Sequence, residues 1–513
     1  MSFIRSLLNT GKGARDSITI FSNWKYPGPE WIILCLILLL PVQSQAAGNG
    51  KLNVALPGVP STFVPAEIND VISITVVHNN VFETLVKFGN GRARVEPLLA
   101  KSWKSEDSGR IWIFELRDDV TFHNGSALTA DDVVRCMRNN YYFQAKIEKS
   151  GPLQVRIILS ESRVSFVETM TLCNFAVTKT LDDGSLAGTG PYILRQNSPS
   201  KQFEIHAYEE YWGGKPELDE IKFHCSLDVD EAIDKMKSGG IDLIRLVPPG
   251  YADLITGDKN LVLERHEGVN VAYITMNIER YPLDQPDFRR ALNMLINREN
   301  IINKIYSGQA VQCRGLLPPV IGGNMEREPR AKYDPEKAKK IIEKYQVEEG
   351  RVFKLVGLPF LRSYCPDPNQ MARLIAGYMK GVGLKLEYLP TYSMEDYFEK
   401  IADTEFDFIV DGYVIDSPSR DDFYTYVFGV GVDYPYEIRW KNEEFDSLVC
   451  KARSITEDKE REKAYARAED LFFSEYPWII LVHSNELAAY RKDVEGLVII
   501  PTGEIRLGKA RKI

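Results

Sequence analysis

The sequence predicts an α/β fold divided among about three domains. Its 513 residues exceed what one core ordinarily holds, and roughly 150 residues per domain would make about three. Apolar residues make up 44% and charged residues 26%, ordinary globular usage that excludes wholesale disorder and collagen-like repeats. Strand-like alternation and apolar helical stripes interleave along the chain without a strict βαβ rhythm and without a visible repeat. This is the pattern of α/β or α+β domains.

The first 46 residues stand apart. Arg5, Lys12, Arg15 and Lys25 outnumber Asp16 and Glu30, and residues 31–42 (WIILCLILLLPV) are apolar. A bilayer span needs about 20 such residues, whereas a signal-peptide core needs about 7–15. Ser44 and Ala46 suit cleavage after Ala46. Residues 1–46 are therefore expected to be a signal peptide, with an uncleaved membrane anchor as the alternative.

Residues 111–117 (IWIFELR) alternate, with Trp112, Phe114 and Leu116 on one face, which predicts a half-buried strand. Residues 203–208 and 407–415 are further strand candidates. Asp131-Asp132 marks a helix start, because acids favour the positive end of the helix dipole. Pro286-Asp287 opens a helix with Phe288, Ala291, Leu292, Leu295 and Ile296 on one face. Asp334-Pro335 opens another, Asp as N-cap and Pro in the first turn, with Ala338, Ile341, Ile342 and Tyr345 on its stripe. A third, over 368–382, carries Met371, Leu374, Ile375, Tyr378, Met379 and Val382 and ends near two glycines. These stripes read as core faces.

The net charge of −9, from 63 basic and 72 acidic residues, offers no basic stripe for nucleic acid. There is no GxxxxGK[ST] phosphate loop, no GxGxxG after a strand, no HExxH and no GxSxG elbow. His78, His123, His206, His224, His266 and His483 include no pair at helical metal-binding spacing. Asp131-Asp132 and Asp421-Asp422 are adjacent carboxylates, and neighbours on one element point different ways. Cys136, Cys173, Cys225, Cys313, Cys365 and Cys450 permit up to three disulfides in an oxidising compartment, or stand as buried thiols. No CxxC occurs, and no enzyme chemistry, metal or cofactor is indicated.

Seven segments in register resemble one family. They include residues 110–134 (RIWIFELRDDVTFHNGSALTADDVV), Gly188-Thr189-Gly190-Pro191-Tyr192 and Tyr211-Trp212-Gly213-Gly214-Lys215-Pro216 with Leu218-Asp219-Glu220-Ile221. Met276-Asn277 and Pro286-Asp287-Phe288-Arg289-Arg290-Ala291-Leu292 follow, then Ile296-Asn297-Arg298. Asn442-Glu443-Glu444-Phe445-Asp446 and Glu475-Tyr476-Pro477-Trp478-Ile479 come last. The chain from 51 to 510 resembles the extracytoplasmic solute-binding proteins of peptide-type ABC importers. The motif residues read mainly as fold-holding, with Gly188 and Gly190 permitting tight turns.

The resemblance implies a two-lobed periplasmic-binding-protein clamshell (type II, cluster C-like) with an extra third domain. The discontinuous first lobe would be 51–80, 188–267 and 484–513, the extra domain 81–187 and the second lobe 268–483. A hinge would close over a ligand in the cleft. The implied activity is capture of a short peptide for a membrane permease with ATP-binding subunits at the inner membrane. The protein would be periplasmic, expected to be a monomer and not an enzyme. Enclosing a zwitterionic peptide removes water from both charges, so the site needs an acid for the ammonium and a base for the carboxylate. The resemblance offers Asp416 for the amino terminus and Arg362, whose planar fork suits both carboxylate oxygens. Tyr413, Tyr364 and Tyr141 are further lining candidates. Asp416 as a cap of the Ser417-Pro418 turn, and Arg362 as a solvated charge, are the bland alternatives. Ser419-Arg420 stands where relatives often carry an acid, and a free cation there would favour an acidic or phosphate-bearing solute. Alternative ligands are an opine-like conjugate, a nickel chelate, haem or a sugar; alternatives of another class are a secreted hydrolase or an envelope structural protein.

Overall fold

A computed structural model of the protein describes residues 50–89, 94–138, 144–196, 198–330, 332–402, 406–415, 417–430 and 440–513. The expected signal segment, Tyr141 and Asp416 lie outside these residues.

The first lobe is built on Lys51–Leu56, which runs parallel to Glu220–Cys225 on one side and to Leu243–Arg245 on the other. The antiparallel strand Gln202–Ala207 extends this sheet. The alternation expected over 203–208 is present, with Phe203 and Ile205 buried beside Leu52, Val54, Ile221 and Phe223. In the second lobe Val352–Val356 runs parallel to Lys385–Leu389 and to Phe408–Val414, and the last is antiparallel to Asn270–Met276.

One strand belongs to both lobes. Trp478–Arg491 pairs antiparallel with Asn270–Met276 through Val482, then with Leu261–Glu267 from Asn485 and with Leu243–Arg245 from Ala488. The main sheet is therefore continuous, and the chain crosses between lobes at two neighbouring points, 268–269 and 483–484. The crossings are tied together. The buried Asn270 donates from Nδ2 to Ser484 O (3.0 Å) and accepts from Ser484 N (2.9 Å), while His483 Nδ1 donates to Asn270 O (2.8 Å). A Cβ at Gly268 would meet Ser484 O at 2.2 Å, so glycine lets the two backbones touch.

A four-stranded antiparallel sheet, Ala100–Glu106, Ile111–Leu116, Gln154–Leu159 and Ala145–Gly151, has its own core. Trp112, Phe114 and Leu116 are buried in it, as their alternation predicts. The helix Ala130–Met137 begins with a reciprocal capping box between Thr129 and Asp132, which accounts for the acids there.

The three striped helices span Pro286–Leu295, Pro335–Ile342 and Pro368–Gly381. Asp334 caps the second by accepting from Lys337 N, and Asp367 caps the third by accepting from Gln370 N. The second is shorter than its stripe, since residues 343–345 tighten into a 3-10 turn.

The motif residues are ties. Glu83, 1% exposed, accepts hydrogen bonds from Thr189 Oγ1 (2.9 Å), Tyr211 Oη (2.8 Å) and Trp212 Nε1 (2.9 Å), joining two motif segments. Arg289 donates to the carbonyls of Glu475, Tyr476 and Leu283, and Arg298 to those of Ile480 and Asn293. The Glu475 carboxylate accepts from Trp440 Nε1 and Asn442 Nδ2, both at 2.7 Å. Gly188 and Gly190 differ from expectation in their reason. Neither has a positive φ; instead a Cβ would meet Val81 O at 1.9 Å and Asn80 O at 2.6 Å, so close backbone approach, not turn geometry, requires glycine. The six cysteines that permitted three disulfides all stand free, four of them buried.

Candidate functional site

Strand direction locates the cleft. In the second lobe Val352–Val356, Phe408–Val414 and the first half of the shared strand run the same way, and the shared strand leaves this sheet directly into the hinge. The loops after Val356 and Val414 therefore open on the hinge-facing edge. In the first lobe Leu243–Arg245 is antiparallel to the departing shared strand, so the parallel trio also points its carboxyl ends at the hinge. Two sheets present their carboxyl ends to one another, which is where ligands of open α/β sheets are held.

Arg362 and Tyr364 come together on the second-lobe edge, whereas Tyr413 packs against the separate core of Val269, Val271 and Tyr273. Arg362 is exposed, its guanidinium carbon 4.4 Å above the Phe360 ring. Its backbone forms a two-way bridge with Cys365 (N to O 3.1 and 2.9 Å), which folds residues 362–365 into a tight turn. Between them, Ser363 O accepts from the hinge residue Ser484 (2.9 Å). The turn is thus anchored where the lobes cross. The Tyr364 ring lies on Gly412, whose Cβ would come within 2.2 Å of it, and Tyr306 Oη donates to Tyr364 O (2.6 Å). Burial, then the nearby Asp411 carboxylate, raises the Tyr364 hydroxyl above its ordinary range, and a hydrogen bond with Arg362 opposes this. Tyr413 follows Gly412 in the strand and is half-buried.

Past residue 416 the loop is fixed. Ser417 Oγ donates to Asp422 Oδ2 (2.6 Å), and Ser419 caps the helix Arg420–Phe428 by accepting from Asp422 N. Arg420, the added cation that could favour an acidic or phosphate-bearing solute, is turned elsewhere. Its Nε donates to Ile321 O (2.8 Å) and its Nη1 pairs with Glu462 (3.4 Å), so it is not a free cation for such a solute.

The extra domain touches the second lobe beside this loop. Arg163 Nε lies 3.0 Å from Asp421 Oδ2, Thr169 Oγ1 donates to the Asp422 carboxylate (3.0 Å), and Val164 N donates to Arg453 O (2.9 Å). Arg453 Nε completes the network at 2.6 Å from Asp421 Oδ1. Burial, the largest influence, raises the Asp422 carboxyl above its ordinary range. The adjacent carboxylates, expected to point different ways, both reach Arg163, Asp421 at 3.0 Å and Asp422 at 3.9 Å, because the extra domain lays one guanidinium across the pair. Nothing local to Asp421-Asp422 signals its partners Arg163 and Thr169, which lie more than 250 residues earlier in the chain. Next to the contact lies a cavity of about 570 Å³ bounded by Ser165 and Glu168 of the extra domain, Glu267 at the hinge, and Ile321, Pro418 and Tyr465 of the second lobe. Arg362, Tyr364 and Tyr413 do not line it.

Residues 94–434 match the profile of the bacterial extracellular solute-binding proteins, family 5 Middle. The chain is 28% identical to Heme-binding protein A of Haemophilus influenzae over 507 residues, covering 90% of this chain and 92% of that one. It is 26% identical to the Dipeptide-binding protein of Escherichia coli, covering 87% and 92%. Its fold superposes on HbpA2 from Haemophilus parasuis with a TM-score of 0.80 at 23% identity, covering 90% of this chain and all of that one.

Proposed function

The chain belongs to the bacterial extracellular solute-binding proteins, family 5, and from that premise we propose that it captures a short peptide between its lobes and hands it to an ABC permease. The observation that carries the reading is the anchoring of the Arg362 turn to the hinge, at the edge where the parallel strands Val352–Val356 and Phe408–Val414 end. Arg362 supplies the cation for the peptide carboxylate. Asp416 supplies the anion for its ammonium, and Tyr413, Tyr364 and Tyr141 line the space between. The 26% identity to a protein named for dipeptide binding supports the same ligand class. Residues 1–46 direct export to the periplasm, where the protein works as a monomer without catalysis. The first lobe comprises 51–80, 188–267 and 484–513, the extra domain 81–187 and the second lobe 268–483.

Two measurements test this. Mass spectrometry of the purified, denatured protein should release short peptides. Asp416→Asn should weaken trialanine binding by about 2–5 kcal/mol in calorimetry, the cost of breaking a desolvated charge pair; unchanged affinity removes Asp416 from the site. Haem is the second reading, favoured by the 28% identity to Heme-binding protein A. A Soret shift on hemin titration, with no peptide heat, would favour haem and reject the peptide.

A further inference from the structure

Not every acid around the interlobe cavity has a partner in its walls. Five acids line it, Glu168, Glu267, Asp421, Asp458 and Glu462, against two arginines, Arg420 and Arg461. Most of these are already paired. Arg163 and Arg453 flank Asp421, Arg420 pairs with Glu462, and Arg461 pairs with Asp458 while donating to Ile455 O (2.9 Å). Two carboxylates remain. Among the described residues, the side chains of Glu168 and Glu267 have neither a hydrogen bond nor an ion pair. Ser165 Oγ, buried in the same wall, also lacks a partner there. The other walls, Ile321, Pro418 and the Tyr465 ring, are apolar enough to take an alkyl stem.

We propose that this cavity receives a cationic group, the ammonium or guanidinium of a basic side chain on the captured peptide, with Glu168 and Glu267 as its counter-ions. This rests on the reading of the chain as a peptide binder and names the peptide class: basic at one position. The volume suits one long side chain with accompanying water, and an ammonium entering a partly dry wall needs an anion it can meet directly. Pro418 in the wall belongs to the segment that follows Phe408–Val414, the strand on which the Tyr364 ring of the Arg362 turn lies.

The electrostatics of Glu168 agree. Burial, then the Asp422 carboxylate, pushes its carboxyl up to about 8; Asp421 adds to this, and Arg461 and Arg420 oppose it. At neutral pH Glu168 therefore carries a proton. An arriving cation favours the anion, so binding of a basic peptide expels that proton.

The test is calorimetry on the full chain with trialanine and with tripeptides carrying lysine or its uncharged isostere norleucine at each position in turn. At one position lysine should bind at least about tenfold tighter than norleucine, with proton release seen as a dependence of the heat on buffer ionisation. Glu168→Gln copies the shape of the protonated acid, so the fold should survive, as a thermal melt will show. It should cut the lysine preference to within about twofold and leave trialanine affinity unchanged. Equal binding of lysine and norleucine peptides by the unaltered protein, or a preference that survives in Glu168→Gln, overturns the inference and leaves the peptide reading intact. No heat with any peptide overturns both.

Discussion

Replacing Arg163 with Met removes the cation that reaches from the extra domain into the second lobe. The pair it forms with Asp421 spans 3.0 Å, and the two side chains are 14% and 0% exposed, so solvent screens it little. The contact is an ion pair and not a hydrogen bond, since Asp421 Oδ2 accepts none among the described residues, and with a second cation beside the carboxylate it takes the low end of the about 1.5–7 kcal/mol of close charge pairs, about 1.5–3 kcal/mol. Asp421 is not orphaned by the change, because Arg453 still donates to it at 2.6 Å. The loss therefore stays near that figure and does not reach the about 3–5 kcal/mol of an uncompensated buried charge. Opening the hinge would break this contact, so the whole loss falls on the arrangement in which the lobes touch. At about 1.4 kcal/mol per factor of ten, that arrangement loses about ten- to 150-fold against an open one. Where the empty protein is mostly open, a ligand that requires closure loses the same factor in affinity. Trialanine calorimetry reads the affinity, and small-angle scattering reads the radius of gyration with and without peptide. Affinity within about twofold of the unaltered protein, with the same compaction on binding, would refute the claim that this contact belongs to the ligand-holding state.

Two further predictions follow from burial. Burial pushes the Glu83 carboxyl up to about 7 from 4.5 despite its three donors, so its stabilising contribution is complete below about pH 4.5 and lost as pH rises through about 7, a swing of about 3 kcal/mol. His123 and His483 are depressed by burial to about 4, so theirs is complete above pH 6.5 and lost as pH falls through about 4. Urea midpoints from pH 4 to 8 should fall at both ends, and Glu83→Gln should flatten the alkaline limb; an unchanged slope there would show that Glu83 does not titrate in this range. Gly412→Ala places a methyl within 2.2 Å of the Tyr364 ring and must displace the turn that carries Arg362. Trialanine affinity should drop about tenfold or more, the about 1.4 kcal/mol that a shifted charge contact forfeits, and an unaltered affinity would separate this turn from the site.

Much was legible in the sequence because its signals are local. Asp334 before Pro335 caps a helix through its own chain neighbours, and Trp112, Phe114 and Leu116 alternate whatever the rest of the chain does. The order of motifs likewise indicated two lobes and a hinge, because a fold fixes which segments must recur in which order. Residue-level reasons were less legible. Gly190 reads as a turn residue until the backbone at Asn80 is seen against it, and Arg420 reads as a free cation until Ile321 O is seen to accept from it.

By itself the sequence determined the class of fold and the family, since each depends on residues near one another in the chain. Only the tertiary structure decided which charges remain unpaired. Asp421 is neutralised by Arg163 and Arg453 from distant segments, whereas Glu168 finds no such partner among the described residues. Coulomb energy depends on distance in space and on the surrounding dielectric, and neither is a function of position along the chain.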